Sequence, residues 1–263
     1  MIILRNILYS IIFTAVLIII FWYFAIPDDL IRAKIEESLS GLNNHDIKVS
    51  ADDIKKGFFF SLHAKNIQLQ IRDKPAFSVT ELTARINPLY IIKKQIAFSI
   101  EGRMGSGSVS GSFIFPGGGS LRINDAELDS IPYLQSLGIK STGIISAHLT
   151  IRDNNAKVVF EIPDLNIQEY NEIESSLLAT FHTVQGVLNI VNENIRIDSL
   201  GLEGEKGYAR VKGDISAGFM NLTLELMPSA GELSPAELML IDRYLQSPGY
   251  YIIPLHQKTA VSR

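Results

Sequence analysis

The sequence predicts a mainly β protein: an N-terminal transmembrane helix, then one long, curved antiparallel β-meander with a few short helices, curled into a groove or an open barrel. Three observations lead there. An uncharged run, Ile7 to Ile26, stands near the start of the chain. Beyond Phe58, apolar and polar residues alternate with a period of two, segment after segment. Short clusters of Gly, Asn and Asp separate those segments, as hairpin turns require.

The totals narrow the class. A chain of 263 residues suits one large domain or two small ones. Its 24 basic and 28 acidic residues are interspersed and give a net charge of -4. That balance argues against nucleic-acid binding. The chain has no cysteine, which excludes disulfides, a thiol nucleophile and a cysteine metal cage. Mean hydropathy is +0.18, a value the first 26 residues raise.

Ile7–Ile26 holds 20 residues without a charge, the length of a membrane-crossing helix. A cleaved signal peptide has a shorter apolar core and a small-x-small site. Here Ile7, Ile12 and Leu17 lead into Phe21, Trp22, Tyr23 and Phe24, bulky residues that suit the headgroup interface. The expected division is a short cytoplasmic tail and anchor over residues 1–26, and an extracytoplasmic β-rich domain over 27–263. Pro27 ends the span and Asp28 serves as N-cap of a second helix. Leu30, Ile31, Ile35, Leu39 and Leu42 give that helix an apolar stripe, and Gly41 and Asn43-Asn44 stop it.

Strands follow in order. Ile67, Leu69 and Ile71 alternate with polar residues, as do Leu82, Ala84 and Ile86, then Ile96, Phe98 and Ile100. Ile145 to Ile151, Val158 to Ile162, Leu188 with Ile190, Ile195 with Ile197, and Met220 to Leu226 repeat the pattern. Each reads as a strand with one wet face. About a dozen strands result, joined mostly as hairpins through turns such as Asp153-Asn154-Asn155, Asn192-Glu193-Asn194 and Gly204 to Gly207.

The stretch GRMGSGSVSGSF, Gly102 to Phe113, has the glycines and serines of an anion-binding loop. It lacks the lysine and hydroxyl of a phosphate loop, and it runs into Phe113-Ile114-Phe115, not into a helix. Gly105 and Gly107 are therefore turn or bulge positions, with Val109, Gly111, Phe113 and Phe115 along one strand face; Pro116 to Gly119 forms a loop. Two helices interrupt the strands. Leu128 to Gly138 carries Pro132 in its first turn. Ser234 to Gln246 has Ser234 as N-cap, Pro235 at N1, Glu237 closing a capping box, and Leu238, Ile241 and Leu245 as its buried stripe. Tyr250 to Leu255 forms a last strand.

Chemistry is not evident. The histidines, at 45, 63, 148, 182 and 256, have no metal-ligand spacing, and no G-x-S-x-G elbow occurs. Asp28-Asp29, Glu36-Glu37 and Asp52-Asp53 read as solvated acids. No catalytic residue, metal or cofactor is expected.

The order of anchor, short helix and meander resembles the AsmA-like group of anchored periplasmic β proteins, and more closely the type II secretion system protein N family in its compact single-anchor form. The anchor with Pro27, KNIQLQI at Lys65 to Ile71, and IPYLQSLGIKSTGIISAHLTI at Ile131 to Ile151 carry the resemblance. So do VQGVLNIVNENIRIDSLGLEGEKGYARVKGDI at Val184 to Ile215 and SPGYYIIPL at Ser247 to Leu255. The resemblance implies a non-enzymatic component of the secretion apparatus. It sits in the inner membrane by one span, has its C-terminal domain in the periplasm, and takes other secretion subunits as partners through exposed strand edges. The alternative is an AsmA-like protein that binds or transfers phospholipid, with Leu69, Ile86, Phe98, Phe113 and Leu149 as candidates for an apolar groove. Neither reading involves nucleic acid.

Phe24, Ala25 and Ile26 make a poor cleavage site. Intact-mass measurement of the membrane-extracted protein is therefore expected to find the anchor still attached. A mature chain starting near residue 27 would contradict it.

Overall fold

A computed structural model describes residues 13, 14, 17, 22, 24, 27–30, 33, 47–58, 60–71, 74–132, 140–153, 155–169, 180–191, 194–216 and 219–258. The fold is mainly β. The strands are β1 Ile47–Lys56, β2 Ser61–Ile71, β3 Lys74–Asn87, β4 Ile96–Met104, β5 Gly107–Phe115, β6 Gly118–Glu127, β7 Lys140–Thr142 and β8 Ile144–Arg152. They continue as β9 Asn155–Ile162, β10 Asn166–Glu169, β11 Phe181–Val191, β12 Asn194–Gly204, β13 Gly207–Ser216, β14 Phe219–Pro228, β15 Leu245–Ser247 and β16 Tyr250–Lys258.

Fourteen of them form one antiparallel sheet in the order β1-β2-β3-β4-β5-β6-β8-β9-β11-β12-β13-β14-β16-β15. β7 and β10 pair separately. Because the pairing follows the chain, alternate turns gather at opposite ends of the sheet. The turns around Gly57, Pro88–Lys93 and Pro116 define one end, here the Gly57 end. The turns at Gly105, Glu127–Lys140 and Gly204–Gly207 define the other, the Gly105 end.

The alternating apolar residues form the strands expected of them. β1 is an addition. Its Ile47–Lys56 sequence hides the period, since the register to β2 shifts on either side of Asp52 and Asp53 lies at φ +49°. Gly105 sits at φ +60° in a two-residue turn closed by the Met104–Gly107 pair, where only glycine is unstrained. The Pro116 to Gly119 loop is shorter than the sequence suggests, because Gly118 and Gly119 already belong to β6. Gly118 pairs with both Ile114 and Arg152, so its backbone is committed to the sheet.

The helices are trimmed. Leu128–Ser130 is a 3-10 turn that breaks at Ile131, and residues 133–139 lie outside the described set. The C-terminal helix runs Pro235–Ile241 and gives way to a 3-10 turn at Asp242–Tyr244 and then to β15. Its capping box is formed: Ser234 Oγ accepts from Glu237 N–H at 3.3 Å, and Glu237 Oε2 accepts from Ser234 N–H at 2.8 Å. Its expected stripe is corrected. Ile241 is buried, whereas Leu238 and Leu245 are exposed, because the early end of the helix points Leu245 into a strand. In the second N-terminal helix, Asp28–Leu30 and Ala33 are helical, but Leu30 is exposed, not docked; Ile31, Ile35, Leu39 and Leu42 lie outside the described residues.

The core sits toward the Gly105 end. Met104, Val109, Ile123 and Ala126 form one buried cluster, with Phe77, Val79 and Leu82 against it. Leu128, Ile162 and Val184 form a second. Ala209, Leu224, Leu226, Leu233, Ile241 and Tyr251 belong to a third, where the C-terminal helix lies on the sheet. Lys206, in the β12–β13 turn, bonds Glu237 Oε1 at 2.5 Å and ties that helix down.

That ion pair has a pH signature. The Lys206 ammonium, with the Ser234 N–H and hydroxyl, holds the Glu237 carboxyl at about 2, below its ordinary 4.5. A lowered carboxylate pKa stabilises the fold above about pH 4.5 and loses that contribution as pH falls toward 2. Urea unfolding should show Glu237→Gln less stable than the parent at pH 7, with the gap closing in that acidic window. Ser234→Ala should cost about 1 kcal/mol at pH 7.

Candidate functional site

The sheet has one apolar and one polar face. On the apolar face, register links Ile86, Phe98, Phe113, Gly119, Ile151, Ala156, Ile190, Ile195 and Ile215 into one row across nine strands, β3 to β13. The Phe98 and Phe113 rings stack with centroids 5.2 Å apart and planes at 21°. Glycine at 119 is what lets Phe113 lie flat across β6: a Cβ there would meet the Phe113 ring and stand 2.6 Å from Ser112 O. The same device recurs at Gly186, where a Cβ would stand 2.5 Å from the Phe160 ring.

Burial along this face is graded. At the Gly105 end Ala126 and Ala209 are 0% exposed and Leu226 1%. At the Gly57 end the Ile86-to-Ile215 row is half-buried throughout. The sequence candidates fall accordingly. Ile86, Phe98 and Phe113 are direct cross-strand neighbours. Leu149 lies on the same face one row inward, paired through Leu121 to Gly111. Leu69 stands apart, pairing with Phe77 toward the Gly105 end of β2.

The N-terminal helical residues meet the sheet at the Gly57 end. Trp22 Nε1 donates to Gly57 O at 3.5 Å, and its ring lies 5.2 Å from that of Phe60. Lys56 Nζ donates to Trp22 O at 3.4 Å and pairs with Asp28 at 3.6 Å. Leu17, Trp22 and Phe24 are helical, whereas Ile7, Ile12, Phe21 and Tyr23 lie outside the described residues. Among the described residues no helix is long and apolar enough to cross a membrane.

The polar face was not foreseen as a site. It holds a hollow of about 400 Å³ over β6, β8, β9, β11 and β12, lined by Arg122, His148, Glu161, Gln185 and Ser199 among others. Tyr208 walls it by leaning over Gly201, its hydroxyl 3.0 Å from where a Cβ would stand. A shallower hollow of about 280 Å³ adjoins it, with Ser110, Ser112 and Ser120 in its lining. Ser110 and Ser112 come from the Gly-Ser stretch. They contribute hydroxyls only, because that stretch is laddered to β4 and β6 and its N–H groups are not gathered into an anion cradle. His148 Nδ1 and Arg210 Nε are buried without a hydrogen-bond partner.

Three histidines face hydroxyls: His63 Nδ1 lies 2.9 Å from Thr83 Oγ1, His148 Nε2 3.3 Å from Thr150 Oγ1, and His182 Nδ1 3.1 Å from Thr183 Oγ1. No described acid bonds any of these rings to complete a triad. Among the described residues no three His, Asp or Glu converge to hold a metal. Comparison with protein-family models, with curated proteins and with solved structures finds no match to this chain.

Gly119→Ala is expected to lower stability by about 1–3 kcal/mol through overpacking against Ser112 O and Phe113. Urea unfolding should show the midpoint falling with an unchanged slope. His148→Ala, on the polar face, should move it far less.

Proposed function

We propose that this protein is a non-enzymatic, inner-membrane-anchored component of the type II secretion apparatus, with its β domain in the periplasm as a binding surface. One observation carries the binding part: the apolar row that runs unbroken over nine strands and stays half-buried at the Gly57 end. A continuous apolar face of this extent marks an interaction site. The secretion assignment rests on the family resemblance of the anchor and the segments around Lys65 to Ile71, Ile131 to Ile151 and Val184 to Ile215.

The face supports this better than the strand edges do. β1 carries Lys48, Asp52, Asp53, Lys55 and Lys56 along an edge interrupted by register shifts. β16 places Pro254 in its middle, and β15 covers its first residues. Charges, bulges and proline are the devices by which edges refuse an added strand. A partner subunit is therefore received on the apolar face.

The stacked Phe98 and Phe113 favour a second reading, in which the face holds a phospholipid acyl chain. Aromatic and aliphatic side chains in a row offer an acyl chain an apolar surface without directional demands.

A photo-crosslinking residue at Phe98, in cells, separates the two. Capture of a secretion subunit, together with reduced enzyme export on deletion, supports the first reading. Capture of lipid with normal export and altered envelope lipids supports the second. A reporter fused after Leu42 should be active in the periplasm, and activity only in the cytoplasm would overturn both.

A further inference from the structure

We infer that the turn Pro88–Lys93 and the tip of the β5–β6 hairpin form an interfacial foot, which rests on the phospholipid bilayer beside the anchor. The inference depends on the anchor reading and adds a second contact with the membrane that the anchor does not require.

The position comes from the strand order. Trp22 meets the sheet at the β1–β2 turn, and Ile86 N–H donates to Phe60 O at 3.1 Å, so the end of β3 abuts that contact. The Pro88–Lys93 turn follows directly, and Phe115 ends β5, three strands from β2. At roughly 4.8 Å per strand, Phe115 lies about 15 Å along the sheet from the anchor contact.

The chemistry is that of a headgroup interface. Leu89 is 69% exposed, Ile96 54% and Phe115 71%, three apolar tips at one corner. Lys93 and Lys94 are exposed beside them, with Lys93 Nζ 5.6 Å from the Tyr90 ring centroid. From Pro88 to Phe98, and from Ser112 to Leu121, there is no Asp or Glu. Of the neighbouring acids, Asp53 pairs with Lys55 and Asp28 with Lys56, while Asp153 borders the hairpin tip, its N–H donating to Gly117 O at 3.0 Å. Apolar tips, one tyrosine and two unopposed lysines match an anionic lipid surface better than a protein groove. The turn is also pre-ordered: Leu89 N–H donates to Asn87 Oδ1 and Gln95 N–H to Tyr90 O, both at 3.1 Å. Other exposed apolar residues supply the contrast. Met239, 82% exposed, belongs to the C-terminal helix at the Gly105 end. Phe219 opens β14, ten strand positions from β2 and roughly 50 Å along the sheet.

The chain has no cysteine, so single cysteines can be placed without background. Full-length protein carrying a polarity-sensitive fluorophore at Leu89→Cys, Phe115→Cys, Phe219→Cys or Met239→Cys is reconstituted into phosphatidylethanolamine–phosphatidylglycerol vesicles. Vesicle flotation reads the anchor, and quenching by spin-labelled lipid reads the foot. The expected result is flotation of all four, with blue-shifted and several-fold stronger quenched emission at Leu89 and Phe115 than at Met239 or Phe219. Flotation with all four labels equally water-exposed overturns the foot and leaves the anchor standing. Failure to float overturns the anchor reading and the foot with it. Lys93→Glu with Lys94→Glu should weaken quenching at Leu89 while circular dichroism stays unchanged; quenching indifferent to that reversal would also overturn the lipid assignment.

Discussion

A sheet of fourteen strands, with only the two-stranded β7–β10 sheet beside it among the described residues, must find something to lay against its apolar face, and this constraint shapes the rest of the molecule. At roughly 4.8 Å per strand the face extends for about 60 Å. The chain covers it unevenly. At the Gly105 end the returning segments do the work: Leu128 in the 3-10 turn, Leu165 after β9, Leu233 and Ile241 around the C-terminal helix. The Lys206–Glu237 pair and the capping box hold that helix at the one angle that buries Ile241. At the Gly57 end the described turns are short, and the row from Ile86 to Ile215 keeps part of its surface. Buried core and half-buried apolar surface are thus separated along a single strand length.

Keeping so many strands on one face requires corrections of phase. In β2, Leu62 and Ala64 face the core side, then Ile67 and Leu69; the switch falls at Asn66, held at φ +49°. β3 makes the same change between Val79 and Leu82, so the cross-strand pairs stay in step. β6 repeats the device at Asp125, φ +52°, between Ile123 and Ala126. Asn and Asp tolerate that backbone better than other residues with a side chain. Without these residues each slip would turn the remaining apolar side chains into water.

The regular strands were legible because half-burial writes itself as a period of two, and the Ile86, Phe98 and Phe113 neighbours follow from strand lengths alone. β1 was illegible because its bulges scramble the period. The distance of Leu69 from the Ile86 row was not legible, because alternation fixes which face a residue takes and not its place along the strand. Leu245 looked buried because a helical stripe was extended past Ile241, where the chain turns into a 3-10 turn and a strand; Leu238 lies inside the helix and is nonetheless exposed. The polar hollow has no periodic signature at all. It arises where Gly201 lets Tyr208 lean across, a cross-strand relation that no local window contains.

The order of pairing also bears on how the chain acquires its shape. Almost every strand neighbours the one made just before it, so a chain emerging N-terminus first can add each strand to an existing ladder as it appears. Apart from β7 and β10, which pair with each other, the exception is at the far edge. β15 precedes β16 in the chain but lies outside it, with β16 between β14 and β15. β16 is thus laid beside β14 together with β15, its hairpin partner, only after β14 has been made. β16 acts as a keystone: a chain that stopped before it would leave β14, with its buried Leu222, Leu224 and Leu226, as an uncovered edge, open to proteolysis.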